Sequence, residues 1–248
     1  MQGSWLDVIE SHDPAIARAI SRPPSVVIGA RPGSTSEMTS FMWPSYRWFS
    51  DMVRLRGPFR HSGSRGWLRP LTSVVYDPEN WEATPLRERA RPVTYFRRFS
   101  VIGHSHGWTV VITPNPNLTV ASDASCAERN GEDDDEAFLR CDLIGEAARY
   151  ADVVEVQAQQ IEGNTAAYRS FVEHAAQQAR AANPDVQVVA GLTTGSAFTA
   201  AQMFAAWDSV RNLVDGYYLS MPGDERSATA LAFLHMLPFP PDTVSSSS

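Results

Sequence analysis

"VVYDPENW", residues 74–81, places two acids, Asp77 and Glu79, where a β-branched run gives way to a loop. Its first part has the composition of a buried strand, and Pro78 ends it. Side chains two apart on a strand share a face, so Val75, Asp77 and, if the chain stays extended, Glu79 point one way and Tyr76 the other. A carboxylate at the end of an apolar strand is a catalyst, a metal ligand or a helix cap. Which it is depends on the architecture around it.

That architecture reads as an alternation. Strand-like runs at "PSVVIGA" (24–30), "LTSVVYD" (71–77), "WTVVITP" (108–114), "DVVEVQAQ" (152–159), "VQVVAGLTT" (186–194) and "DGYYLSM" (215–221) are separated by helical stretches. The helices are expected over 84–107, with Thr84 as N-cap and a kink or restart at Pro92, and over 134–151, 165–182, 199–214 and 226–237. Residues 36–55 read as a helix broken at Pro44. Six strand–helix units of this kind imply parallel pairing through crossovers, hence an α/β fold. Polar residues recur at the C-terminal ends of most strands, among them Arg31, Asp77, Asn115, Gln157, Gln159, Thr193 and Thr194, and Ser220. A barrel collects its site from many strand ends in this way, whereas an open doubly wound sheet uses one switch point. The expectation is a (β/α) TIM-type barrel, incomplete if six units are all it has. It would form one domain over residues 1–238, followed by a disordered Pro/Ser tail over 239–248.

The totals exclude several classes of function. The chain has 248 residues and a formal net charge of −7, which disfavours a nucleic-acid partner. All 21 basic residues counted as Lys or Arg are arginine, so Schiff-base, P-loop and kinase-type lysines are excluded. No Gly-rich phosphate loop follows a strand, and no G-x-S-x-G elbow is present. No run has the length of a membrane-spanning segment and no leader is apparent. The expectation is a cytoplasmic chain without a membrane partner, or a secreted one if a leader has been trimmed. Cys126 and Cys141 bracket an acidic stretch that one bridge between them would close.

Three polar patterns can carry chemistry. Asp77 and Glu79 can split their pKa values as an acid–base pair. In "VVEVQAQQ", Glu155, Gln157 and Gln159 share a face, too polar for a dry core and suited to a wet cavity or a polar network. "EDDDE" (132–136) either holds Mg²⁺ through Asp133, Asp134 and Asp135 or simply opens a helix, where acids favour the macrodipole. "HSH" (104–106) falls at the end of the barrel away from chemistry. The loop aromatics Trp43, Tyr46, Trp48, Trp67 and Trp81 either stack on a ligand or pack the loops.

"VVYDPENWEATPLRERARP", "LRCDLIGEAARYADVVEVQAQQIE", "AAYRSFVEHAAQQARAANPDVQVVAGLTTG" and "VDGYYLSMP" resemble a group of actinobacterial TIM-barrel-like proteins that are loosely glycoside-hydrolase-like and have no one established activity. The likeness spans roughly residues 70–237. It implies a barrel with Asp77, Glu79, Glu155 and Gln157 in its mouth. The short N-terminal part departs from the group and leaves the barrel incomplete.

The resulting expectation is a hydrolase-like enzyme acting on a carbohydrate or glycosylated small molecule, with no cofactor. Asp77, Glu79 and Glu155 are its catalytic candidates. Arg31, Tyr76, Trp81, Asn115, Gln157, Gln159, Thr193 and Tyr218 are candidates for contacting the substrate. The alternatives are a Mg²⁺-dependent lyase or cyclase of an isoprenoid-type substrate at Asp133–Asp135, and a non-catalytic binding barrel. The shared-site reading further expects Arg31, Asp77, Glu79, Glu155 and Gln157 in one pocket.

Overall fold

The computed structural model describes residues 5–20, 28–29, 40–56, 72–120, 126–129, 131–221 and 227–239. Its strands are β1 (Ile28–Gly29), β2 (Ser40–Trp43), β3 (Ser73–Tyr76), β4 (Thr109–Ile112), β5 (Val153–Val156), β6 (Gln187–Thr193) and β7 (Gly216–Ser220). They form one sheet in chain order, every neighbouring pair parallel. Each crossover therefore advances by one position and never reverses, which rules out the doubly wound alternative. The sheet curls into a half-barrel, an incomplete barrel whose two end strands are not paired with each other among the described residues.

One strand was not anticipated. Residues 40–43, read as part of a helix, form β2, and Pro44 ends that strand instead of breaking a helix. The helix α3 (Tyr46–Arg56), which follows α1 (Trp5–His12) and α2 (Pro14–Ile20) in the chain, begins two residues later. Burial explains the difference: Trp43 is 6 % exposed and lies 5.7 Å from the Phe49 ring, so tertiary packing overrides a weak local pattern. As a consequence β2, not β1, is the neighbour of β3. Two helices expected as single pieces are divided. Residues 84–107 form α4 (Leu86–Arg89) and α5 (Pro92–Ser105), restarting at Pro92. Residues 134–151 form α6 (Asp134–Arg140) and α7 (Leu143–Ala148), parted at Asp142, which adopts φ 53°.

The convex face of the sheet holds the core. Val74, Tyr76, Val110, Ile112, Val154, Val156, Val188, Ala190 and Leu192 are buried there against the helices. Tyr76 stacks on Phe99 of α5 at 5.0 Å. Gly103 lets α5 lie close to β4, because a Cβ at that position would sit 2.5 Å from Val110 Cγ2. The opposite, concave face carries Val75, Asp77, Thr113, Glu155, Gln157, Gly191, Thr193, Tyr218 and Ser220, as the period of two requires. Among the described residues no helix is long and apolar enough to cross a membrane. Of the tail expected to be disordered, all but Phe239 lies outside the described residues.

Candidate functional site

Asp77 follows β3 on the concave face and is 9 % exposed. Two neighbours hold it through one oxygen: Thr113 Oγ1 and Gln157 Nε2 each donate to Oδ1 at 2.8 Å. Gln157 is itself fixed, donating to the Thr113 carbonyl at 2.7 Å and accepting from Asn115 Nδ2 at 2.7 Å. Gln157 is therefore a brace for Asp77 more than a free binder of hydroxyls. Burial pushes the Asp77 carboxyl up to about 6, against the lowering effect of these two hydrogen bonds. Asp77 caps no helix, so the capping alternative is set aside.

Glu79 is held by its loop. Thr84, expected as an N-cap, is instead a buried hub: its hydroxyl accepts from Glu79 N (3.2 Å) and Trp81 Nε1 (3.0 Å) and donates to the Pro44 carbonyl (2.8 Å). Asn80 N donates to Asn117 Oδ1 at 2.8 Å. These contacts leave the Glu79 carboxyl facing the cavity. Burial, then the neighbouring Asp77 charge, raises it to about 7.

Glu155 lies two strands from Asp77. Strand spacing puts their Cα atoms about 10 Å apart, on the same face of the sheet. Glu155 is 2 % exposed and accepts from Gln159 Nε2 at 2.9 Å. Burial first, then Asp77 and Glu79, raise its pKa well above the carboxylate range. Gly191 makes room for this arrangement: a Cβ there would lie 2.7 Å from both Gln159 and Glu155. Tyr218, in register with Gly191, has its phenol pushed up by burial and then by Glu155, Asp77 and Glu79. The three carboxyls and this phenol thus share one electrostatic field.

The cavity above them encloses about 590 Å³. Glu79, Asn115, Gln157, Gln159, Thr193 and Ser220 line it from the strand ends, and Asp133, Asp134 and Asp135 from the side. Asp133 caps α6 in a reciprocal pair with Glu136. Asp134 hydrogen-bonds Glu128, which raises the Glu128 pKa. Asp135 is raised to about 6 by burial and then by its two neighbouring acids. Arg140 is committed to Glu132, at 2.6 and 2.8 Å, and to the Ala127 carbonyl. Among the described residues no three His, Cys, Asp or Glu side chains converge as a metal-ion site. Cys126 and Cys141 are free thiols, and Cys141 Sγ donates to the Cys126 carbonyl at 3.3 Å.

Two candidate substrate contacts lie outside the cavity lining. Tyr76 is wholly buried on the convex face, and its hydroxyl donates to Glu88 Oε2 at 2.9 Å. Trp81 is 44 % exposed and outside the cavity lining, its indole N–H bound to Thr84. Arg31 lies outside the described residues, as does Trp67. The pair at His104 and His106 sits at the far end of the sheet, with His104 Nε2 3.0 Å from Asp152. Two residues were missed. Thr113 is one strand-step beyond Val111 on the concave face, a position that its period of two would have indicated. Glu162 follows the polar strand, and nothing local to it marks it as buried.

Glu162 is fully buried. One oxygen accepts from Thr193 N at 2.6 Å, and the other has no partner among the described residues. Burial raises it to about 8, against the Thr193 hydrogen bond. A carboxyl whose folded pKa exceeds its unfolded value favours folding below the unfolded pKa, and that stabilisation is lost as pH rises through the folded one. Glu162, Asp77, Glu79 and Asp135 all act in this sense between about pH 4 and about pH 8. Glu132, lowered to about 2 by Arg140, acts in the opposite sense, but only below this window. The melting temperature is therefore expected to fall by several degrees from pH 5 to pH 8, and Glu162→Gln to flatten the fall. Calorimetry across that range checks this, and a flat or rising melting temperature would contradict it.

No protein-family model and no curated protein matches the chain.

Proposed function

We propose that the chain is a hydrolase-like enzyme of the TIM-type barrel class, acting on a carbohydrate or glycosylated small molecule through Asp77 and Glu79. One observation carries this reading. Two carboxyls two residues apart have displaced pKa values, Glu79 on the cavity lining and Asp77 behind it against Gln157, and Asp77 is oriented through one oxygen while its second has no donor among the described residues. Glu79, raised to about 7, is the acid: it holds a proton at mildly acidic pH for the leaving oxygen. Asp77, ionised above about 6, is the base or nucleophile. Burial keeps both from ionising early, and Gln159 and Ser220 offer hydrogen bonds to substrate hydroxyls. A close pair of carboxyls would retain anomeric configuration and a wider pair would invert it.

A panel of aryl glycosides tests the reading. The expected kcat/KM profile is a narrow bell. Its acid limb lies near 6, where Asp77 must lose a proton, and its basic limb near 7, where Glu79 must keep one. The coupled pair would titrate as a unit. A profile flat from pH 5 to 8 would exclude these roles, and a ligand bound and recovered unchanged would favour the binding-barrel alternative. Turnover that requires Mg²⁺ and disappears in Asp135→Asn would favour the lyase alternative. That alternative is weakened by Arg140, whose guanidinium is already engaged and not free to hold a diphosphate.

A further inference from the structure

We propose that Cys126 and Cys141 are a redox pair, closed to an intramolecular disulfide by exchange with a small-molecule disulfide and reopened by thiols, and that the bridge clamps the segment that carries Asp133, Asp134 and Asp135. The inference goes beyond the catalytic reading and does not rest on it, because the two thiols and the loop between them define it.

Geometry is the first ground. Cys141 is the C-cap of α6, and Cys126 precedes the loop that leads into that helix. Cys141 Sγ donates to the Cys126 carbonyl at 3.3 Å, and the two side chains are hydrogen-bonded to each other. Sulfurs in such contact need to approach by only about 2 Å to reach the length of an S–S bond. Both residues are partly exposed, so a small oxidant reaches them. The loop between them is already closed without a covalent bond. Arg140 donates through Nη2 to the Ala127 carbonyl at 2.8 Å and through Nε to Glu132 Oε1 at 2.6 Å. Ala127 and Arg140, joined in this way, are each the chain neighbour of one cysteine. The backbone therefore holds the two thiols together before any bond forms, which favours the intramolecular product.

The surroundings of the pair also order the chemistry. Burial, and then the hydrogen bond with Cys126, push the Cys141 thiol up to about 12, so Cys141 stays protonated and the first attack falls to Cys126. The Cys126 thiolate attacks one sulfur of the small disulfide, which expels one thiol and leaves a mixed disulfide. Capping Cys126 removes a group that helps to keep Cys141 protonated. Arg140 Nη1, which donates to Cys141 Sγ at 3.5 Å, then favours the thiolate. Cys141 loses its proton and attacks the Cys126 sulfur, expelling the second thiol. Two protein thiols are oxidised to one disulfide, and the small disulfide is reduced to two thiols that take up the two protons released. The product joins residues 126 and 141 around Asp133, Asp134 and Asp135, which line one side of the cavity. Such a closure restricts the unfolded chain and resists opening of α6.

The test incubates the full chain with oxidised and reduced glutathione at set ratios, alkylates the remaining thiols and reads the products by intact mass and peptide mapping. The expected product is a single chain two hydrogens lighter, with residues 126 and 141 joined. Cys141→Ser is expected to stop at a stable glutathione adduct on Cys126, and Cys126→Ser to form the adduct on Cys141 about tenfold more slowly. The bridged form should melt roughly 5–10 °C higher than the reduced one, and dithiothreitol should reverse the rise. Exchange of the α6 amides should slow about tenfold on bridging, and Cys141→Ser should show neither change. Free thiols at every ratio, a bridge only between copies or only after denaturation, or a persistent mixed disulfide in the unsubstituted chain would each overturn the pairing. A bridge that left the melting temperature and the α6 exchange unchanged would overturn the clamp. None of these outcomes bears on turnover of glycosides, which is measured on the reduced chain.

Discussion

Asp77→Asn is expected to lower turnover about a thousandfold, within the range that a positioned acid or base contributes, while the fold stays intact. Asparagine keeps the Oδ1 acceptor that Thr113 and Gln157 bind at 2.8 Å. What it loses is the oxygen that can ionise. Removing a buried carboxyl whose burial opposes ionisation also removes a desolvation cost, so the melting temperature should hold or rise. Steady-state rates on a substrate that turns over, read with calorimetry, check both halves. Unchanged rates would remove Asp77 from the mechanism. Gln157→Ala distinguishes positioning from chemistry: it deletes a hydrogen bond that lowers the Asp77 pKa, so the acid limb of the rate profile should move upward as kcat falls.

Glu88→Ala is expected to be the most damaging substitution for stability. Glu88 is fully buried and accepts from Ser45 Oγ (3.1 Å), Tyr46 N (2.7 Å), Arg47 N (3.1 Å) and Tyr76 Oη (2.9 Å). It thus supplies from a distance the acceptor that the first turn of α3 lacks, and adds a negative charge at a helix N-terminus. Alanine would strand two backbone amides and two hydroxyls. Breaking a buried charged network of this kind costs about 3–5 kcal/mol, a drop on the order of 10 °C in melting temperature for a chain of this size. Tyr76→Phe should recover part of the loss in the double variant, because it removes one stranded donor. The damage would reach the site as well. Pro44, beside Ser45, accepts the Thr84 hydroxyl that holds the Glu79 loop, so kcat should fall along with stability. Chemical denaturation of the three variants measures these terms, and a loss below about 1 kcal/mol, the net worth of an ordinary hydrogen bond, would refute the account.

How much was legible is clearest residue by residue. The apolar cores of β3 to β7 announced themselves as short β-branched runs between helical stretches. Their alternation correctly put Asp77 and Glu155 on one face, two strands apart, because the period of a strand is a local property. "SFMW" could not be read in this way: four residues are too few to establish a period, and only Phe49 and the neighbouring strand make them β2. Asp133, Asp134 and Asp135 were read correctly as opening a helix, but their position across a cavity from Glu79 has no local trace.

The sequence by itself determined the parallel α/β order, the inward face of each long strand and the lack of any lysine chemistry, since these follow from composition and short-range periodicity. The curl of the sheet, the bracing of Asp77 by Thr113 and Gln157, the burial of Tyr76 on Glu88 and the meeting of two acidic segments around one cavity were decided by tertiary structure. Each depends on which side chains distant in the chain are brought within hydrogen-bonding reach and sealed from water. Burial, more than any neighbour in sequence, sets the pKa of the carboxyls on which the proposed chemistry rests.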